Sequence, residues 1–179
     1  MNFVHQGQAC SQCVRCGVCV ILIQVTDYNA ASDIIAAGCQ TEWTELERVL
    51  LALPVHLKAS DQAGIQGHPI FDPIGTNDGI RTGLTAAGGW LSTIPIPQQF
   101  AFLGTDVDFG KNGLIVEAQF SNYPFLLNNT IRSELFFKAN LNLTGVPTLA
   151  TVILTKGHMF PASKSTLYYY PGNKDPHIS

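Results

Sequence analysis

Apolar positions fall into short runs separated by polar, glycine-rich and proline-rich stretches. Val20 to Val25 has the length and β-rich composition of a short buried strand. From Glu42 to Leu53 the period changes. Trp43, Leu46, Leu50 and Leu53 recur at steps of three and four and predict a helix with one apolar stripe. Thr41 is its expected N-cap, and Pro54 closes it. Glycine and proline are dense through residues 60–99 and break any period, so turns and short pieces are expected there. Phe100–Asp108 and Gly113–Phe120 read as two strands joined across Gly110 to Gly113 as a hairpin. Pro124 to about Asn140 predicts a second helix, with Leu127, Ile131 and Leu135 as its apolar stripe and Ser121 or Asn122 as its cap. Leu149–Leu154 is a continuous apolar run suited to a core strand. Together these elements predict an α/β layer arrangement.

Composition narrows the class. The 179 residues are 46% hydrophobic and 13% charged, which suits one domain with a sizeable core and excludes a disordered chain. The longest apolar run, Val18–Ile23, is too short to cross a bilayer, and the first residues lack the basic patch of a secretory signal. A soluble, cytoplasmic protein with no membrane association is expected. The net charge of −3 argues against a polyanion partner, but its distribution does not. Residues 1–109 hold four basic side chains against ten acidic, whereas residues 110–179 hold six against three. A mildly basic C-terminal half is compatible with nucleic acid and equally with an uneven ordinary surface.

Cys10, Cys13, Cys16 and Cys19 stand two residues apart near the start. Thiolates so spaced can wrap zinc or an iron–sulfur cluster. The bacterial cluster pattern, however, closes with a three-residue gap and a proline, and here the gap is two and Val20 follows. Residues 1–20 therefore read as a cysteine-rich extension that is either a metal-binding module or a non-native leader.

The candidate chemistry lies in the hairpin. Glu117 and Gln119 are two apart on a strand and share a face, and pairing brings Asp108 toward Glu117. Two such carboxylates repel unless a cation such as Mg²⁺ lies between them. On the residues alone, solvated acids at strand ends remain the competing reading.

Longer blocks decide between the two. Thr26-Asp-Tyr-Asn29, Lys58-Ala-Ser-Asp-Gln-Ala63, Phe71-Asp-Pro-Ile-Gly-Thr-Asn77 and Ile94-Pro-Ile-Pro97 resemble segments of the BglII-type restriction endonucleases. So do Phe102-Leu-Gly-Thr-Asp-Val-Asp-Phe-Gly110, Glu117 through Thr130, Arg132-Ser-Glu-Leu-Phe136 and Thr155 through Ser163. The resemblance is collinear over residues 21–170. It implies the PD-(D/E)XK fold, a mixed central sheet flanked by helices, and a Mg²⁺-dependent homodimer that cuts double-stranded DNA at the palindrome AGATCT. Asp108, Glu117 and Gln119 fall on the family's active-site trio, with Asp108 and Glu117 holding the metal and Gln119 placing the attacking water.

The resemblance also places Ser121 and Asn122 against the central bases. At the outer base pair Lys164 and Ser165 replace the family's asparagine and serine, which implies a preference for guanine there or a lysine–phosphate contact, around a GATC centre. Thr93 stands where the family has an asparagine near its active site. His158, beside the same loop, is a DNA contact or a surface residue. The likeness ends after Tyr168-Tyr-Tyr170, and 171–179 reads as a short unrelated tail. A C-terminally truncated family member is therefore expected, either a working nuclease or an inactive remnant.

Overall fold

The computed structural model describes residues 23–120 and 123–156, and gives the backbone of three further short strands. Its centre is a six-stranded mixed sheet. In chain order the elements are β1 (Asn2–Gln6), β2 (Ile23–Asp27), α1 (Ala31–Gly38), α2 (Gln40–Ala52), β3 (Leu57–Ala59), β4 (Pro69–Phe71), α3 (Pro73–Ala87), β5 (Leu91–Pro95), β6 (Asp106–Lys111), β7 (Leu114–Gln119), α4 (Tyr123–Lys138) and β8 (Ala150–Lys156). The pairs Leu167–Tyr168 and His177–Ile178 form β9 and β10, a separate two-stranded sheet. The main sheet runs β2-β1-β8-β7-β6-β5. β7 and β8 are parallel, with α4 as their crossover, and β5, β6 and β7 are antiparallel. This matches the expected mixed sheet flanked by helices. Residues 1–20 read as an extension apart from the domain, yet Asn2–Gln6 pair between β2 and β8. The four closely spaced cysteines lie outside the described residues.

Each face of the sheet buries its own cluster. On one, Phe109, Leu114, Val116, Phe120, Val152 and Leu154 pack under α1, α2 and α3 through Ile35, Leu46, Leu50, Ile80 and Leu84. On the other, Val107 and Ile115 meet Phe136 of α4 together with Ile94, Ile96 and Leu143. Cys39, at the α1–α2 junction, is fully buried, and burial pushes its thiol up to about 11, so it behaves as a small apolar side chain. Among the described residues no helix is long and apolar enough to cross a membrane.

Several boundaries differ from expectation. The β2 strand starts at Ile23, so Val20 to Leu22 of the expected run fall outside the described residues. The second helix starts at Gln40 rather than Glu42, and the half-turn residue before it is Cys39, with no side-chain cap, so Thr41 lies within the first turn. Residues 100–103 belong to a 3₁₀ turn, and β6 begins only at Asp106. The hairpin turn is the two-residue Asn112-Gly113, with φ of 45° and 87°, the sign that suits a type I′ turn. Its tip is tied to α2 by Lys111 on Glu45 at 2.7 Å and Asn112 on Glu42 at 2.8 Å.

The largest departure is α3, fifteen residues of helix inside the stretch expected to be turns. Asp72 caps it by accepting from the Ile74 N–H at 3.1 Å, Pro73 opens the first turn, and Gly88 ends it at φ 81°. Its glycines serve packing. Gly75, Gly79 and Gly83 recur every four residues on one side, where Gly75 faces His56 and Gly79 and Gly83 face the C-terminal end of α2. A Cβ at Gly79 would sit 2.5 Å from Leu53 Cδ1, and one at Gly83 2.5 Å from Val49 Cγ1.

Replacing Gly83 with leucine tests that close approach. Helix propensity alone favours the substitution by roughly 1 kcal/mol. Overpacking against Val49 costs about 1–3 kcal/mol. A net loss of stability in urea denaturation is expected, and a net gain would show that α2 and α3 are free to separate.

Candidate functional site

The β6–β7 register runs Lys111↔Leu114, Gly110↔Ile115 and Phe109↔Val116 and ends there, one step before Asp108 and Glu117. At that step side chains take over from the ladder. Ala118 donates its N–H to Asp108 Oδ2 at 2.7 Å, and the Asp108 N–H serves the Glu117 carboxylate. The two acids thus lie side by side at the end of the hairpin away from its turn. Asp108 is half-buried and Glu117 is 1% exposed. Gln119 follows on the same strand face, 8% exposed.

Helix α4 supplies the partners. Arg132 donates through Nη2 to Glu117 Oε1, and through Nη1 to the Asp106 carbonyl at 3.1 Å. Asn129 donates to Gln119 Oε1 at 3.3 Å, and the Ser133 hydroxyl donates to the Asn129 carbonyl at 2.6 Å. A step of two down the strand is matched by a step of three up the helix, so one helix turn reads two strand positions. Gly104, at φ 133°, leaves the space the guanidinium fills, since a Cβ there would lie 2.7 Å from Arg132 Nη1.

This reverses the expected orientation of α4. Leu127 and Ile131, assigned to its apolar stripe, are 64% and 52% exposed, and Leu135 is only partly buried. The buried face is instead Leu126, Asn129, Arg132, Ser133 and Phe136. Sequence reasoning therefore missed Asn129 and Arg132 as site residues. The available signal was a second stripe at the same period, mixed polar and apolar, set one residue round from the apolar one.

Electrostatics follows from burial. Desolvation pushes Glu117 up to about 7, opposed by Arg132 and reinforced by the Asp108 charge. Desolvation also raises Asp108, opposed by the Ala118 N–H and the Arg132 charge. Two carboxylates and an amide oxygen are hard donors of the kind a divalent cation takes. The one buried guanidinium, that of Arg132, is bonded to Glu117 and leaves the Asp108 carboxylate without an ion-pair partner of its own, so the donor set fits such an ion. Among the described residues no group of three or more His, Cys, Asp or Glu side chains gathers to hold a metal.

Of the expected site residues, Asp108, Glu117 and Gln119 are brought together. Ser121, Asn122, Lys164 and Ser165 lie outside the described residues, as does His158. Thr93 borders the site from β5: the pairing passes from Ser92↔Phe109 to Ile94↔Val107 and skips Thr93, whose φ is 52°.

Comparison with known proteins identifies the family. The family profile described as restriction endonuclease BglII/BglIII matches residues 23–171. The type II restriction enzyme BglII of Bacillus subtilis is 54% identical over 147 residues, 82% of this chain and 64% of that protein. A crystal structure of restriction endonuclease BglII complexed with a DNA 16-mer superposes with a TM-score of 0.71 at 47% identity. It covers 86% of this chain and 63% of the other, so the chain spans just under two thirds of the length of these relatives.

The raised acid makes a pH prediction. Glu117 binds its proton more tightly folded than unfolded, so in metal-free protein its ionisation subtracts stability. That loss is absent below the ordinary glutamate value, grows as pH rises toward about 7, and is complete above it. Thermal midpoints across this window should fall in the wild type and stay flatter in Glu117→Gln. Parallel curves would remove Glu117 as the titrating group.

Proposed function

The chain belongs to the restriction endonuclease BglII/BglIII family, and from that premise we propose that it is a type II, site-specific deoxyribonuclease. Its substrate is double-stranded DNA at an AGATCT-like palindrome with a GATC centre, and its cofactor is Mg²⁺. The family implies dependence on a divalent cation, and the choice of Mg²⁺ rests on the hard oxygen donors. The observation that carries the reading is the juxtaposition of the Asp108 and Glu117 carboxylates just past the hairpin ladder, with Gln119 two residues on and Arg132 behind.

The residues divide the work as follows. Asp108 and Glu117 would hold the cation, each with a carboxylate fixed by a backbone N–H and, for Glu117, by Arg132. The bound ion supplies charge that polarises a phosphate oxygen and lowers the pKa of water. Gln119 has no proton to gain at neutral pH and so orients a nucleophilic water rather than deprotonating it. Asn129 holds that amide by its oxygen. In-line attack of that water on phosphorus then breaks the P–O3′ bond, leaving a 5′-phosphate and, once the departing oxygen is protonated, a 3′-hydroxyl.

Ser121 and Asn122, just before α4, are proposed to meet the central base pairs, and Lys164 and Ser165 the outer pair. A palindrome has two-fold symmetry, which a homodimer mirrors. The outer face of α4 supports that assembly: Phe125, Leu127 and Ile131 are each more than half exposed on the helix whose inner face holds the acid pair. A cytoplasmic location accords with a DNA substrate.

Plasmid digestion tests the chemistry. Discrete fragments are expected with Mg²⁺, none with chelator, and Glu117→Ala should cost more than the roughly 10–100-fold typical of a supporting residue. Cleavage by Glu117→Ala at the wild-type rate would overturn the proposal. Cutting AGATCT while sparing GGATCC would refute a guanine preference from Lys164. Dimerisation is tested by light scattering coupled to gel filtration: wild type runs as a dimer and Leu127→Glu/Ile131→Glu as a folded monomer. A dimeric double variant would move the interface elsewhere.

A further inference from the structure

The two acids create a local problem for the substrate just proposed, because a phosphodiester must approach buried negative charge. Arg132 is consumed by Glu117 and the Asp106 carbonyl and is 8% exposed. Arg81 of α3 is different. It is exposed and forms no ion pair among the described residues. Its guanidinium carbon lies 5.5 Å from the centroid of the Phe109 ring, the residue next to Asp108. Its Nη1 lies 3.4 Å from Thr93 Oγ1.

Thr93 supplies an independent observation. A β-branched residue at φ 52° is held in a conformation that costs about 1–3 kcal/mol and persists only where the surroundings impose it. The strain sits where β5 skips its pairing opposite Asp108. That turned backbone brings the Thr93 hydroxyl to Arg81, so the strained residue and the unpaired cation meet beside the stretch of β6 that bears Asp108.

We propose that Arg81, steadied by the Phe109 ring and the Thr93 hydroxyl, is a phosphate-binding residue of the cleavage site. It takes a non-bridging oxygen of the DNA strand beside Asp108 and Glu117. Guanidinium suits the task through its fork of donors and its permanent charge. The inference rests on the endonuclease reading and adds a substrate contact to it.

Fluorescence anisotropy with a self-complementary duplex carrying AGATCT, in Ca²⁺, tests it. Arg81→Gln keeps most of the stem over Phe109 and removes the charge. Its thermal midpoint should equal that of wild type. Its affinity should fall about tenfold, equally for a scrambled duplex, and the slope of log affinity against log salt should shrink by roughly 0.9 for each phosphate no longer neutralised. Arg81→Lys should recover the slope. A methylphosphonate at the scissile linkage should weaken wild type more than Arg81→Gln, which has lost one of the two cations that meet that phosphate. Equal salt slopes for wild type and Arg81→Gln, or equal methylphosphonate penalties, would overturn the inference while the endonuclease reading stands. A wild type that binds no duplex would overturn both.

Discussion

The ion pair between Arg132 and Glu117 is the interaction on which the rest of the site depends. Glu117 is buried on a sheet face where Ile115 and Ile153 are its apolar neighbours. An ionised carboxylate there is tolerable only with charge and hydrogen bonds on it. Arg132 provides both and hands its second amino group to the Asp106 carbonyl, so one side chain secures the acid and the start of the strand that bears Asp108. Removing one member of such a pair typically costs about 3–5 kcal/mol, more than most single interactions contribute. The remaining mismatch, two acids to one buried guanidinium, is what makes the place receptive to a divalent ion.

Helix α4 is consequently a two-sided element. Its inner face is polar where it meets Glu117 and Gln119 and apolar where Leu126 and Phe136 enter the core. Its outer face exposes Phe125, Leu127 and Ile131. The two faces are thus held by one helix, so a force on the outer face reaches the residues that fix the acid pair.

Much of this was legible in the residues. The hairpin, the acid pair and the long α2 helix follow from period and turn chemistry, and the collinear blocks supplied the family. Two features resisted for physical reasons. Helix α3 was hidden because Gly75, Gly79 and Gly83 lower intrinsic helicity, and tertiary packing on Leu53 and Val49 overrides that penalty. Asp72-Pro73 and Gly88-Gly89 at its ends were the overlooked start and stop signals. The α4 face was misjudged because a strictly apolar stripe is normally the buried one. Here buried charge on β7 demands a polar neighbour, and that demand comes from another element, invisible to any local window.

The short two-residue turn at Asn112-Gly113 carries a wider consequence. Because the hairpin reverses so tightly and α4 follows directly, Asp108, Glu117, Gln119, Asn129 and Arg132 all arise from one contiguous stretch between positions 108 and 132. Bringing these groups together closes only small loops, which keeps the entropic cost of assembly low and the contact order local. The candidate site is therefore a compact cassette, drawn together by contacts that are close along the chain.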